Sequence, residues 1–151
     1  MHSFMIQKEI KRLEFLINTI PNLLKKIDDA KLSYKSTPEK WSKLETLGHL
    51  IDSAANNHQR FIRGQYEDCP KIYYDQNQWV TLNGYQTCNK LQLIDFWTLY
   101  NQQIIEILKR MSAESLERKC QNKEGSVFTI HYLITDYIKH LEHHLHQIVE
   151  Y

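Results

Sequence analysis

Glycine and proline are scarce: 4 Gly and 3 Pro among 151 residues, where ordinary usage of roughly 12% for the two together gives about 18. So few turn formers exclude a chain of many short strands and favour long helices. A cysteine framework is missing too. Cys69, Cys88 and Cys120 lie far apart with no CxxC pair, which argues against a disulfide scaffold or a cysteine zinc site and suits reduced thiols in a cytosol. No charge of one sign dominates. Nineteen Lys and Arg against 18 Asp and Glu leave +1, too weak a field to draw the chain to nucleic acid or anionic lipid. No apolar run approaches the ~18 residues of a membrane span. Lys8, Glu9 and Lys11 interrupt the N-terminal stretch, where a signal peptide needs an unbroken apolar core. The expectation is a soluble, cytoplasmic protein with neither membrane nor nucleic acid as partner.

What is present is 42% hydrophobic residues with 25% charged, enough to fill the core of a single domain over 1–151. Histidine is abundant. Of 8, five (His131, His140, His143, His144 and His146) fall in the last 21 residues.

Apolar residues at three- and four-residue spacing outline four helices. The first runs from Phe4 to about Asp28 on Ile6, Ile10, Leu13, Ile17, Ile20, Leu24 and Ile27, with a kink or break expected near Thr19 because Pro21 removes an internal hydrogen bond. After a connector over 31–41, Ser42 and Glu45 match a capping box that starts the second helix, expected to run to about Gly64 as a natural terminator. Periodicity lapses over 65–89, a stretch too long for a plain loop, where Asp75 with Gln78 could cap a short helix through Leu82; such a segment either covers a site as a lid or merely crosses over. Asn89 caps the third helix, which carries Leu93, Ile94, Trp97, Ile104, Leu108 and Met111. Thr129 caps the last, which carries Ile130 through Ile148. The pattern describes an all-α, antiparallel four-helix bundle with a long connection between helices two and three.

On a wheel of 100° per residue, the apolar face of the last helix centres on Leu141 and Ile148, with His140 and His144 at its border. His143 and His146 fall toward solvent and His131 on the other flank. The i, i+4 pair His140 and His144 presents two rings one turn apart, which suits one metal ion. A third ligand must come from elsewhere, and His49 is available on helix two. It lies on a polar arc with Glu45, Asp52, Asn56 and Arg60, an arc that is either solvated surface or one wall of a cleft.

The segment Trp41-Ser42-Lys43-Leu44-Glu45-Thr46-Leu47-Gly48-His49-Leu50-Ile51-Asp52 resembles the W-S-x-x-E-x-x-G-H-L-x-D pattern of the DinB/YfiT-like metalloenzymes, with Arg60 further on. The closing segment, with His140, His144, Gln147 and Ile148, is similar to that family's H-x-x-x-H-x-x-Q-I signature. The resemblance implies a bundle, often a homodimer, holding a divalent metal through His49, His140 and His144. It implies no single reaction, since such proteins include hydrolases as well as thiol-dependent transferases and isomerases.

Three neutral imidazoles leave a divalent ion its full charge and an open position, the arrangement of catalytic rather than closed structural sites. Imidazole suits zinc or nickel, with iron or manganese next. The leading expectation is a metal-dependent hydrolase or low-molecular-weight-thiol S-transferase acting on a small molecule, with a thiol as a further cofactor in the second case. The alternative is a non-catalytic metal-binding or stress-response module. Glu45, Asp52 and Asp136 are candidates to orient the histidines, although the capping box is the favoured role for Glu45, and Gln147 either contacts metal-bound water or sits on a polar edge. Tyr137 either lines a cleft or packs. His58 is expected in the core or at an interface, Arg60 in a surface or inter-helix ion pair rather than on a substrate carboxylate. Trp41, Trp79 and Trp97 are expected as packing anchors, and His2 on the surface or in packing.

Overall fold

The computed structural model describes residues 4–151, so His2 lies outside the described residues. After a 3-10 turn at Phe4–Ile6, the chain forms α1 (Gln7–Lys25), α2 (Asp29–Ser33), α3 (Lys43–Tyr66), α4 (Gln76–Asn83), α5 (Lys90–Arg110) and α6 (Ala113–Glu117). The strands β1 (Lys119–Gln121) and β2 (Val127–Thr129) then lead into α7 (Ile130–Ile148). The long helices α1, α3, α5 and α7 are the four expected. Their apolar stripes meet in one core around Trp97, Tyr137 and Phe61, each 2% exposed or less.

The caps act as the sequence implies. Ser42 Oγ accepts from the Glu45 amide while Glu45 Oε1 accepts from the Ser42 amide, both at 3.1 Å, and Asn89 and Thr129 cap α5 and α7 through the amides of Gln92 and Tyr132. Other expectations shift. Pro21 lies inside α1 without breaking it, because Ile17, Ile20 and Leu24 stay buried across it and packing offsets the lost hydrogen bond. The helix stops at Lys25, short of Asp28, and the connector that follows contains α2. α3 ends at Tyr66, close to the expected end, but Gly64 lies inside its last turn and is not the terminator. It is buried where a Cβ would lie 2.9 Å from Cys120 Sγ and 3.0 Å from Ile130 Cδ1, so its missing side chain serves close packing. The sequence reading missed the hairpin β1–β2, whose strands are only three residues each and too short for a period-2 signal.

Helix directions explain the long connection. Lys43 bonds the carbonyl of Ile148 near one end of the α3–α7 pair, while Gly64 meets Ile130 near the other, so these two helices run antiparallel. Lys109 pairs with Glu14, and Lys90 bonds the carbonyls of Lys25 and Ile27, so α1 and α5 are antiparallel as well. α1 contacts α5 and α7, and α3 contacts the same two. His58 meets Tyr100, and further along both helices Ile62 and Gln65 line one pocket with Gln103 and Arg110, so α3 and α5 are neighbours pointing the same way. A chain leaving α3 at Tyr66 must therefore return the length of the bundle before α5 begins at Lys90. Residues 67–89 make that return along α3: Ile72 lies beside Arg60, Tyr74 beside His49, Tyr85 beside Asp52, and Gln86 beside Ser42.

Candidate metal centre

His49 sits two turns into α3, and His140 and His144 lie on successive turns of α7. Because α3 and α7 are antiparallel, the early part of one helix faces the late part of the other, and the three rings converge. One ring nitrogen from each lies within 4.8 Å of the other two. His49 Nε2 and His140 Nε2 are 3.2 Å apart. Two nitrogens bound at about 2.0–2.1 Å to one tetrahedral ion stand roughly 3.3 Å apart, so this pair already has the separation of co-ligands. His49 is 1% exposed. The polar arc on which it lies is thus the wall of a cleft, not solvated surface.

The outward nitrogens are held from behind. Gln147 Oε1 lies 3.0 Å from His144 Nδ1, which leaves His144 Nε2 for the cluster. Tyr74 Oη lies 3.4 Å from His49 Nδ1, and the Trp41 ring packs on the His49 ring with centroids 4.8 Å apart. Gln147 thus touches a histidine directly. The sequence reading gave Tyr74 no role, since it stands in a stretch without periodicity. None of the three candidate acids is hydrogen-bonded to a histidine of the cluster, and for Glu45 the favoured capping role is the one observed. Glu45 closes the capping box and pairs with Lys35 at 2.8 Å. Asp52 Oδ1 accepts from Tyr85 Oη at 2.6 Å and from Asn83 at 3.3 Å, because the returning segment reaches it first. Asp136 is exposed at the rim.

A cavity of about 210 Å³ opens beside His49 and His140, lined also by Arg60, Tyr73, Tyr74 and Asp136. Tyr137 both lines it and packs, its hydroxyl donating inward to Asn101 Oδ1 at 2.6 Å. Arg60 is not in an ion pair. Its guanidinium bonds the Ile72 carbonyl at 3.1 Å and faces the cavity. His58 meets Tyr100 between α3 and α5, with Nδ1 2.9 Å from the hydroxyl. Of the tryptophans, Trp97 is a core anchor, whereas Trp79 is 42% exposed on α4, a helix with a single buried residue, Val80. His143 and His146 are exposed, as the wheel implies.

Burial and mutual repulsion hold the imidazoles neutral. Burial, with His140 and His144 adding to it, pushes His49 down to about 3. Burial and His144 push His140 down to about 4, and burial lowers His144. Asp52 goes the other way, pushed up to about 6 by burial against the pull of the Tyr85 hydrogen bond. In the metal-free protein the unfolded chain, with histidines near 6.5, binds more protons than the folded one, so stability rises with pH from about 4 to 6.5. Asp52 opposes this below about 6, but two strongly lowered histidines outweigh one raised carboxylate. The urea midpoint of the metal-free protein is expected to be highest above pH 7 and to fall as pH drops from about 6.5. His49→Gln should flatten that fall; an unchanged profile in the variant would count against the assignment.

Residues 12–148 match the DinB superfamily. The chain belongs to that superfamily. This DinB chain is 27% identical over 144 residues to a proposed metal-dependent hydrolase of Halalkalibacterium halodurans, covering 95% of this chain and 84% of the other. It is 24% identical over 147 residues to one of Oceanobacillus iheyensis, covering 97% and 85%. Among solved structures it resembles YfiT from Bacillus subtilis, described as a probable metal-dependent hydrolase with an unusual four-helix bundle topology. The TM-score is 0.85 at 21% identity, over 93% of this chain and 82% of that one. It also resembles a mycothiol-dependent maleylpyruvate isomerase, with a TM-score of 0.75 at 11% identity, covering 93% of this chain but 59% of the isomerase. At these identities the structural matches show that the DinB bundle is shared. Among the described residues, no helix is long and apolar enough to cross a membrane.

Proposed function

We propose that this protein holds one divalent transition-metal ion through His49, His140 and His144, and that it is a metal-dependent enzyme acting on a small molecule by hydrolysis or thiol transfer. The observation that carries this reading is the convergence of three neutral imidazoles at the edge of a polar cavity. The donor set fits such an ion: nitrogen ligands only, two already at co-ligand separation, and two of the three rings backed by a neighbouring polar group. When bound, the ion supplies Lewis acidity, which acidifies water or a thiol and polarises a carbonyl. The chain's own residues do the rest. Gln147 and Tyr74 fix the His144 and His49 rings, Trp41 shields His49 from solvent, and Tyr73 and Tyr74 wall the space in which a substrate lies. The names of the Halalkalibacterium relative and of the isomerase support hydrolysis and thiol chemistry respectively.

Protein purified without an affinity tag is expected to carry about one equivalent of zinc, nickel or a similar ion by elemental analysis. Less than about a tenth of an equivalent after reconstitution would overturn the reading. Loaded protein should then turn over either esters and amides, or a thiol with an electrophilic acceptor, in a manner that needs all three histidines. Full metal with no turnover in either panel would leave a non-catalytic metal-binding module.

A further inference from the structure

Arg60 is the least satisfied cation on α3. A guanidinium has five N–H donors. One reaches the Ile72 carbonyl at 3.1 Å, one reaches Asn57 Oδ1 at a long 3.5 Å, and Nε is buried with no partner among the described residues. Three of the other four arginines are ion-paired, Arg12 with Glu142, Arg63 with Glu67 and Arg110 with Glu106, and the fourth, Arg118, spends Nε and an Nη on the carbonyls of Gly64 and Glu67 at the end of α3. No carboxylate among the described residues forms an ion pair with Arg60, and burial pushes its pKa below the ordinary value. Asp136 lines the same cavity but is exposed, so water screens most of its attraction. A half-buried positive charge left this way is costly unless something else brings the counter-charge.

The position of Arg60 tells what that something does. It stands eleven residues after His49, about 16 Å along the helix axis. Side chains on a helix lean toward its N-terminus, so the long Arg60 side chain leans back toward His49, and both line one cavity. We infer that Arg60 is an anion subsite, taking the carboxylate of a small substrate whose reactive group lies at the histidine cluster several bonds away. A planar, singly charged carboxylate matches the guanidinium fork. The inference rests on the metal-enzyme reading only for where the substrate reacts; the carboxylate contact stands on Arg60 itself. A bracket role, tying the returning segment through Ile72, uses one N–H and leaves the charge uncompensated.

The test is acetate titration of the metal-loaded and the metal-free protein, with neutral acetamide as control, followed through the Arg60 Nε–H resonance and by calorimetry. Acetate is expected to shift that resonance in both forms, acetamide in neither. Arg60→Gln should weaken acetate binding to the metal-free form at least tenfold and Arg60→Lys by less, with metal content unchanged in both. If acetate binds only the loaded form, or leaves the Arg60 resonance unmoved, the subsite is wrong and the metal reading stands. If no metal binds yet acetate still shifts Arg60, the metal reading fails and the subsite survives. The resonance measurement needs no variant, so poor folding of Arg60→Gln does not blunt the test.

Discussion

His49→Ala is expected to abolish metal retention, taking the protein from about one equivalent to less than about a tenth after desalting. A structural zinc site with four ligands binds with about 10–16 kcal/mol, or roughly 3 kcal/mol per ligand, so losing one of three should cost about 100- to 1,000-fold in affinity. The prediction is sharp because His49 has no stand-in: the remaining members of the cluster both belong to α7, and His143 and His146 are exposed on that helix. His146→Ala is the matched control and should keep its full equivalent. If the metal serves chemistry, the metal-free forms of wild type and His49→Ala should melt within a few degrees of one another. If it serves stability, metal should raise the wild-type melting temperature strongly and support no turnover. Retention of a full equivalent by His49→Ala would overturn the three-histidine assignment.

Gly48→Ala is expected to destabilise the protein by about 3 kcal/mol, the upper part of the usual range for overpacking a core. A Cβ at Gly48 would lie 2.1 Å from Tyr85 Cδ2 and 2.2 Å from Cγ. These atoms are the root of a buried ring, not the tip of a flexible side chain. Tyr85 must therefore move, and with it goes its 2.6 Å hydrogen bond to Asp52, leaving a buried carboxylate with its Oδ2 already unpartnered. For a chain of this size such a loss lowers the melting temperature by roughly 6–12 °C. Because Tyr85 anchors the segment that also carries Tyr74, limited proteolysis should find new cleavage within 67–89. A variant as stable as wild type, with that segment still protected, would show that the contact is not needed. Gly48 is thus required by a side chain 37 positions later, while its own helix has no use for it.

Much of this architecture was legible in the sequence because it is local. Helix period, the Ser42 to Glu45 capping box, and the Asn89 and Thr129 caps act within four residues, so spacing alone locates them. Pairing His140 with His144 is equally local. Other readings failed where a distant partner decided the outcome. Gly64 carries the signature of a helix end, yet it lets Cys120 and Ile130 approach. Asp52 is well spaced to orient His49, but Tyr85 and Asn83 occupy it. Arg60 suggests an ion pair, yet among the described residues no carboxylate pairs with it, Asp136 only sharing its cavity. Tyr74 carried no signal at all, since a lone tyrosine in an aperiodic stretch looks like any other.

By itself, then, the sequence determined four amphipathic helices, their caps, an i, i+4 histidine pair, and a family resemblance that named His49 as the third member. Only the tertiary structure decided whether the polar arc around His49 meets water or α7. Helix direction is set by which faces bury together across the whole bundle, a condition no single helix encodes. Once α3 and α7 run antiparallel, the three imidazoles converge. Once α3 and α5 run parallel, the chain must return along α3, and that return brings Tyr74, Tyr85 and the Ile72 carbonyl to His49, Asp52 and Arg60.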